Sequence, residues 1–239
     1  MMILGNLLFI LKKSTENVKK QQSAPLRSRN DEEKALRREA LLNAAQEVFF
    51  EKGFDKTSMD DIAGKAGFSR SLLYVYFSNK LDIYRALRIR SVEILRDRMK
   101  TYVDLSASGR ERVGQVGSAF FDFYTHDRSH FDCLNFNISL NSQERKLKSE
   151  FQDDQETLEA ERETMQIMVD SLLAGIDDGS INKKKVTNPL QTAMYLRGCL
   201  HGVILLQDDN GSALLSKAGI DKTELIDYAM TNIIAPLCE

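Results

Sequence analysis

Residues 57–80 read TSMDDIAGKAGFSRSLLYVYFSNK, and their punctuation divides the run into two short helices and the start of a third. Ser58 stands where a hydroxyl caps a helix, and Asp60 and Asp61 fill the first turn, where the positive end of the helix favours carboxylates. Ile62, Ala63 and Ala66 supply the buried stripe of this helix, and Gly67 ends it. Ser69 caps the next helix, Arg70 to Tyr76, which turns Leu73 and Phe77 inward. Ser78 or Asn79 caps a third, starting at Lys80. The glycine turn lets the second short helix cross the first steeply, and the alanines at 63 and 66 permit a close approach. This is the physical pattern of a helix-turn-helix.

Outward from this motif the pattern stays helical. Upstream, Asn30 with Glu33 has capping-box spacing, which predicts a helix from about residue 30. Leu41, Ala44, Ala45, Val48 and Phe49 recur along it at helical spacing, and Gly53 supplies its stop. Downstream, helices are predicted from Lys80 to about Tyr102, over about 110–126, about 129–140 and about 142–177, from Pro189 to about Leu206, and from about Lys222 to Ala235. A short helical turn follows the loop Asp208–Gly211. The carboxylates around 150–163 read as a solvated helix face, with Glu159 and Glu163 flanking Arg162. No strand-length alternating run with hairpin signals occurs, and prolines number only three in 239 residues. The expectation is an all-α fold: a flexible basic extension over 1–29, a three-helix helix-turn-helix domain over 30–78, and a larger helical domain over 79–239.

Charge is distributed unevenly: residues 1–29 carry +5, residues 30–88 are neutral, and residues 89–239 carry −7. That gradient suits one anionic partner and one surface that avoids it. Lys19, Lys20, Arg27 and Arg29 make the extension a candidate for added, salt-dependent affinity towards DNA. Cys133, Cys199 and Cys238 are widely spaced and form no CxxC pair, which argues against a disulfide framework or structural zinc and suits a reducing cytoplasm. The apolar stretch Met1–Leu11 is too short to span a bilayer and matches an export signal poorly. No nucleophile elbow, phosphate loop or dinucleotide fingerprint is present, so an enzyme and a cofactor are not expected. His126 and His130 share the i, i+4 spacing of metal ligands, but a helix break expected near Asp127 argues against a joint site, and no metal is predicted.

The motif resembles the DNA-binding region of the TetR/AcrR family. The resemblance rests on Phe49-Phe50-Glu51-Lys52-Gly53-Phe54, on Thr57-Ser58-Met59 with Asp61-Ile62-Ala63, on Ala66-Gly67-Phe68-Ser69, and on Leu73-Tyr74, Tyr76-Phe77 and Lys80. It implies a homodimeric transcriptional regulator, more often a repressor than an activator, that binds double-stranded DNA at a palindromic operator. By the same resemblance, Thr57, Ser58, Tyr74, Tyr76 and Lys80 should meet the phosphate backbone, with Ser69 capping the recognition helix. Arg70, Ser71 and Val75 should face the bases, Arg70 as a bidentate partner for guanine. Leu72 departs from the small polar residue common at its place, which leaves the operator sequence open.

For the C-terminal half, the resemblance implies a ligand cavity among the helices and a dimer formed by the two last long ones, about 189–206 and 222–235. Gly198 and Gly202 would allow close contact there, flanked by Cys199 and Leu206. Phe120, Phe121, Tyr124, Phe136, Met165, Met168 and Tyr195 are the candidates for lining a cavity that takes a small apolar effector. The alternative is a DNA-binding interaction protein of the same fold that has no small-molecule effector.

Overall fold

The computed structural model describes residues 26–135, 155–207 and 210–238. Among them the chain forms helices only: α1 (Leu26–Lys52), α2 (Met59–Ala66), α3 (Arg70–Tyr76), α4 (Lys80–Tyr102), α5 (Gly109–His126), α6 (Arg128–Asn135), α7 (Gln155–Asp177), α8 (Pro189–Leu206), α9 (Asn210–Ala218) and α10 (Lys222–Ile234), closed by a 3-10 turn at Ala235–Leu237. The all-α architecture is as the sequence predicts. The first boundary is not. α1 runs straight through Asn30, so that residue caps nothing and the last residues of the expected flexible arm are helical. No proline or glycine lies between Leu26 and Asn30, and once a helix is nucleated each further residue adds a hydrogen bond at little cost. The remainder of the arm, and the predicted helical stretches over 136–140 and 142–154, lie outside the described residues.

The short helices are fixed by their ends. Ser58 Oγ accepts from the Asp61 backbone nitrogen at 3.1 Å, and the Asp61 carboxylate accepts from the Ser58 nitrogen at 2.9 Å, a reciprocal cap. Ser69 and Asn79 cap α3 and α4 in the simpler way, accepting from Leu72 and Asp82. Between α2 and α3 the chain turns at Gly67, whose φ of 71° lies in the left-handed region open to glycine.

Two cores result. The small one gathers Leu41, Ala45 and Phe49 of α1, Ile62 and Ala63 of α2, Leu73 of α3, and Leu81, Tyr84 and Leu87 of α4. The large one lies among α4 to α8 and α10, with Leu95, Phe120, Phe123, Phe131, Leu172, Leu196 and Ile204 at its centre. α4 therefore contributes to both. So does α6: Phe131 belongs to the large core, while Cys133, two residues on, belongs to the small one.

At the start of α5, Gly109 lies directly against the last turns of α7. A Cβ placed there would stand 1.9 Å from the Gly175 backbone nitrogen. Because the obstacle is main chain, no side-chain rearrangement relieves it. We expect Gly109→Ala to lower stability by about 2–3 kcal/mol, in the upper range for overpacking. Equilibrium urea unfolding measures this, and an unchanged midpoint would contradict the helix contact.

Candidate nucleic-acid interface and apolar cavity

The seven residues of α3 present one open face. Arg70, Ser71, Tyr74 and Val75 are exposed, Val75 by 70% and Tyr74 by 43%, while Leu73 and the C-cap Phe77 are buried beneath them. Positions i, i+1, i+4 and i+5 lie along one side of a helix. Arg70 is already oriented on this face. Its Nη1 donates to Asp60 Oδ2 at 2.8 Å, its Nη2 donates to the Tyr74 hydroxyl at 3.4 Å, and the guanidinium lies 5.6 Å above the Tyr74 ring centroid. The Tyr74 hydroxyl, and then the Asp60 carboxylate, raise the Arg70 pKa further. Such exposed pairs are weakly held, so a stronger acceptor can draw the guanidinium from Asp60. The sequence placed Asp60 only in the first turn of α2. Its contact with Arg70 spans the glycine turn, and no spacing rule announces it.

Two candidate phosphate contacts turn inward instead. Thr57 is buried, and its hydroxyl donates to the Gly53 carbonyl at 2.7 Å. Lys80 Nζ donates to the carbonyls of Phe54 at 2.6 Å and Thr57 at 3.0 Å, and lies 4.3 Å from the Phe54 ring centroid. Both side chains therefore brace the loop between α1 and α2 against the start of α4. Ser58 stays at the surface, its hydroxyl donating to Asp61 at 2.7 Å. The Asp61 carboxylate also accepts from Lys52 Nζ at 2.6 Å. That bond first, and then Ser58, hold it well below the usual carboxylate range. Tyr76 is half-buried and packs on the small core.

Residues 41–87 match the family model of bacterial regulatory proteins, tetR family. Over these residues the chain is similar to the DNA-binding region of the TetR family. Among curated proteins, the HTH-type transcriptional activator FasR of Mycolicibacterium smegmatis is 38% identical over 98 residues, which cover 41% of this chain and 45% of that protein. The HTH-type transcriptional repressor BepR of Brucella suis is 41% identical over 59 residues, 25% of this chain and 28% of that protein. The match thus spans less than half the length of these relatives. Likeness of fold extends further. The transcriptional regulator FadR from Bacillus subtilis, solved in complex with stearoyl-CoA, has a TM-score of 0.63 at 20% identity, covering 82% of this chain and 97% of that one.

In the C-terminal half, an apolar seam runs between α4, α5, α7, α8 and α10, lined by Leu95, Val116, Phe120, Met168, Leu200 and Ile233 among others. Its cavity volume is about 50 Å³, room for a few waters at about 10–15 Å³ each. Three sequence candidates, Phe120, Met165 and Met168, line it. Tyr124 does not, because its ring packs edge-on against Phe131 at 5.0 Å. Phe121 stacks on Tyr124 at 5.9 Å and faces a separate shallow groove beside Tyr102 and His126. Tyr195 is 63% exposed: α8 buries Ala193, Leu196, Leu200 and Ile204, and Tyr195 lies on the opposite side. Phe136 lies outside the described residues. The sequence reading missed Arg197 and the contributions of Leu95, Met99, Met230 and Ile234, which come from helices whose apolar stripes looked like plain core.

The paired histidines separate as the helix break required. α5 ends at His126, which pairs with Asp122 at 2.8 Å. His130, on α6, donates from Nδ1 to Ser91 Oγ at 3.0 Å, and that hydroxyl donates to the Leu87 carbonyl at 2.7 Å. His201 stacks on Phe131, with ring centroids 5.7 Å apart. Burial holds His130 and His201 below the usual imidazole range, with Arg90 beside the first and Arg197 beside the second adding to it. The folded state therefore binds fewer protons than the unfolded chain below about pH 6.5. This stabilisation is complete above that pH and is lost as pH falls towards the lowered folded values. The melting temperature should drop between pH 7.5 and 5.5, and the double replacement His130→Asn, His201→Asn should flatten that slope. A slope that the replacements leave unchanged would assign it to other groups.

Proposed function

We propose that this chain is a transcriptional regulator, most consistent with a repressor, that binds a palindromic operator as a homodimer and is released by a small apolar effector. The observation that carries the reading is the exposed face of α3, where Arg70, Ser71, Tyr74 and Val75 stand clear of the small core. An α-helix enters the B-DNA major groove, and an arginine can take guanine O6 and N7 together while valine contacts a thymine methyl. Ser58, Ser69, Tyr74 and Tyr76 flank this face and supply hydroxyls for phosphates. Thr57 and Lys80 hold the frame. A cytoplasmic location is part of this reading, since that is where bacterial DNA is bound. Among the described residues, no helix is long and apolar enough to cross a membrane.

Dimerisation is supported by what α8 and α10 leave uncovered. Met194, Tyr195 and Leu206 of α8 and Tyr228 of α10 are exposed, and a Cβ at Gly198 or Gly202 would meet nothing within 4 Å. A second copy on this face would place two recognition helices in successive grooves, about 34 Å apart. The apolar seam, together with the stearoyl-CoA bound by the B. subtilis FadR, supports an apolar effector. The same seam favours one rival reading. A free volume of about 50 Å³ is also what a DNA-binding interaction protein without an effector would have.

The test is fluorescence anisotropy on DNA from the region upstream of its own gene, with light scattering for mass. We expect a dimer whose affinity falls steeply with salt. Arg70→Ala should weaken binding by about 1–3 kcal/mol per half-site and relax preference at one base position. Tyr74→Phe should weaken all sequences alike. Salt-insensitive or palindrome-independent binding, or a monomer on DNA, would exclude the proposal.

A further inference from the structure

Among the described residues, the lining of the apolar seam contains one charged residue, Arg197 of α8. The other polar side chain among these lining residues, Thr164, spends its hydroxyl on the Ala160 carbonyl at 2.9 Å. Arg197 itself makes no hydrogen bond or ion pair among the described residues. Its neighbours on α4 differ: Arg85, Arg88, Arg96 and Arg98 each hold a carboxylate. The nearby carboxylate, Glu161, is engaged by Arg88 at 2.9 Å and reaches Arg197 only through space. Arg197 is exposed to solvent while also lining the seam, and the protein crowded around it draws its pKa below the usual guanidinium value by desolvation. It therefore stands at the mouth of the seam.

We propose that the effector is an amphiphile, an apolar chain ending in a single anionic head of the long-chain carboxylate type, and that Arg197 anchors that head. This rests on the reading that the seam admits a small molecule. A neutral ligand would leave the guanidinium to water alone, whereas an anionic head gains a charge-assisted partner. Arg88 and Arg197 set against Glu161 leave one positive charge, which matches one negative head and is outnumbered by a nucleotide-bearing head. A planar guanidinium fork suits a carboxylate in particular. The chain would lie among Met99, Met165, Met168 and Met230, unbranched side chains that adapt as the seam widens. A carboxylate on Arg197 also stands near Glu161, so its arrival weakens the hold of that residue on Arg88 of α4.

Isothermal titration of the full chain with dodecanoate, 1-dodecanol and dodecanoyl-CoA tests this. Dodecanoate should bind about tenfold or more tighter than the alcohol, the scale of one charge-assisted hydrogen bond, and tighter than the thioester. Arg197→Gln should remove that preference while leaving alcohol affinity unchanged, which also shows that the variant is folded. Arg197→Lys should keep part of the preference. Equal binding of acid and alcohol, a preference that survives Arg197→Gln, or tighter binding of the thioester would overturn the assignment and leave an apolar effector standing. Failure of all three compounds to bind would remove the effector reading and this inference with it.

Discussion

The 23-residue helix α4 places Leu81, Tyr84 and Leu87 in the small core and Leu95 and Met99 in the large one. A straight helix that serves two cores cannot tilt in one without disturbing the other, because both are packed at solid-like density. Arg85, Arg88 and Arg96 hold Glu156, Glu161 and Glu163 of α7 at 2.7, 2.9 and 2.7 Å. Arg98 reaches Asp122 of α5 and Asp127. Single exposed pairs contribute little to stability, but their sequence along α4 fixes its register against α7. α6 repeats the link on a smaller scale, since the Tyr84 hydroxyl donates to the Cys133 carbonyl at 3.2 Å. The exposed face of α3 is therefore held, through α4 and α6, by the half of the molecule that contains the seam.

What could be read in the sequence was local. Caps at Ser58, Ser69 and Asn79, glycine stops at Gly53 and Gly67, and the inward pair Leu73 and Phe77 all follow from residues within a few positions of one another, and each is found in the structure. What could not be read was long-range. Helical spacing identifies an apolar face, but it does not say which charge meets which across a helix pair. Glu163, expected beside Arg162 on a solvated face, instead pairs with Arg96, 67 residues away. Thr57 and Lys80 carry polar groups that suit a phosphate, yet the carbonyls at the end of α1 needed partners and are nearer. Tyr195 failed as a cavity residue because aromatic content does not reveal the side of a helix. Asn30 failed as a cap because nothing after it was required to start the helix.

The recognition face shows a division of labour. Leu73 and Phe77 fix the height of α3 on the small core, and the capped N-termini fix its direction. Arg70, held between Asp60 and Tyr74, has already surrendered part of its rotamer freedom before any ligand arrives, and this reduces the entropic cost of an ordered contact. Cys133 lies at the other end of this economy. Buried between α4 and α6, its thiol is pushed up to about 11 and is inert at neutral pH.

The contact between Gly109 and Gly175 works as a fulcrum. Main chain meets main chain there, so α5 and α7 can neither separate nor slide easily at that end. Whatever swells the seam must spread the two rods at their far ends, like scissor blades. At 1.5 Å per residue, Phe120 and Thr164 sit about 16 Å from the crossing and Glu156 about 28 Å. A small angular opening is therefore largest where α7 grips the arginines of α4, and the leverage of the bundle points at the helix that carries α2 and α3.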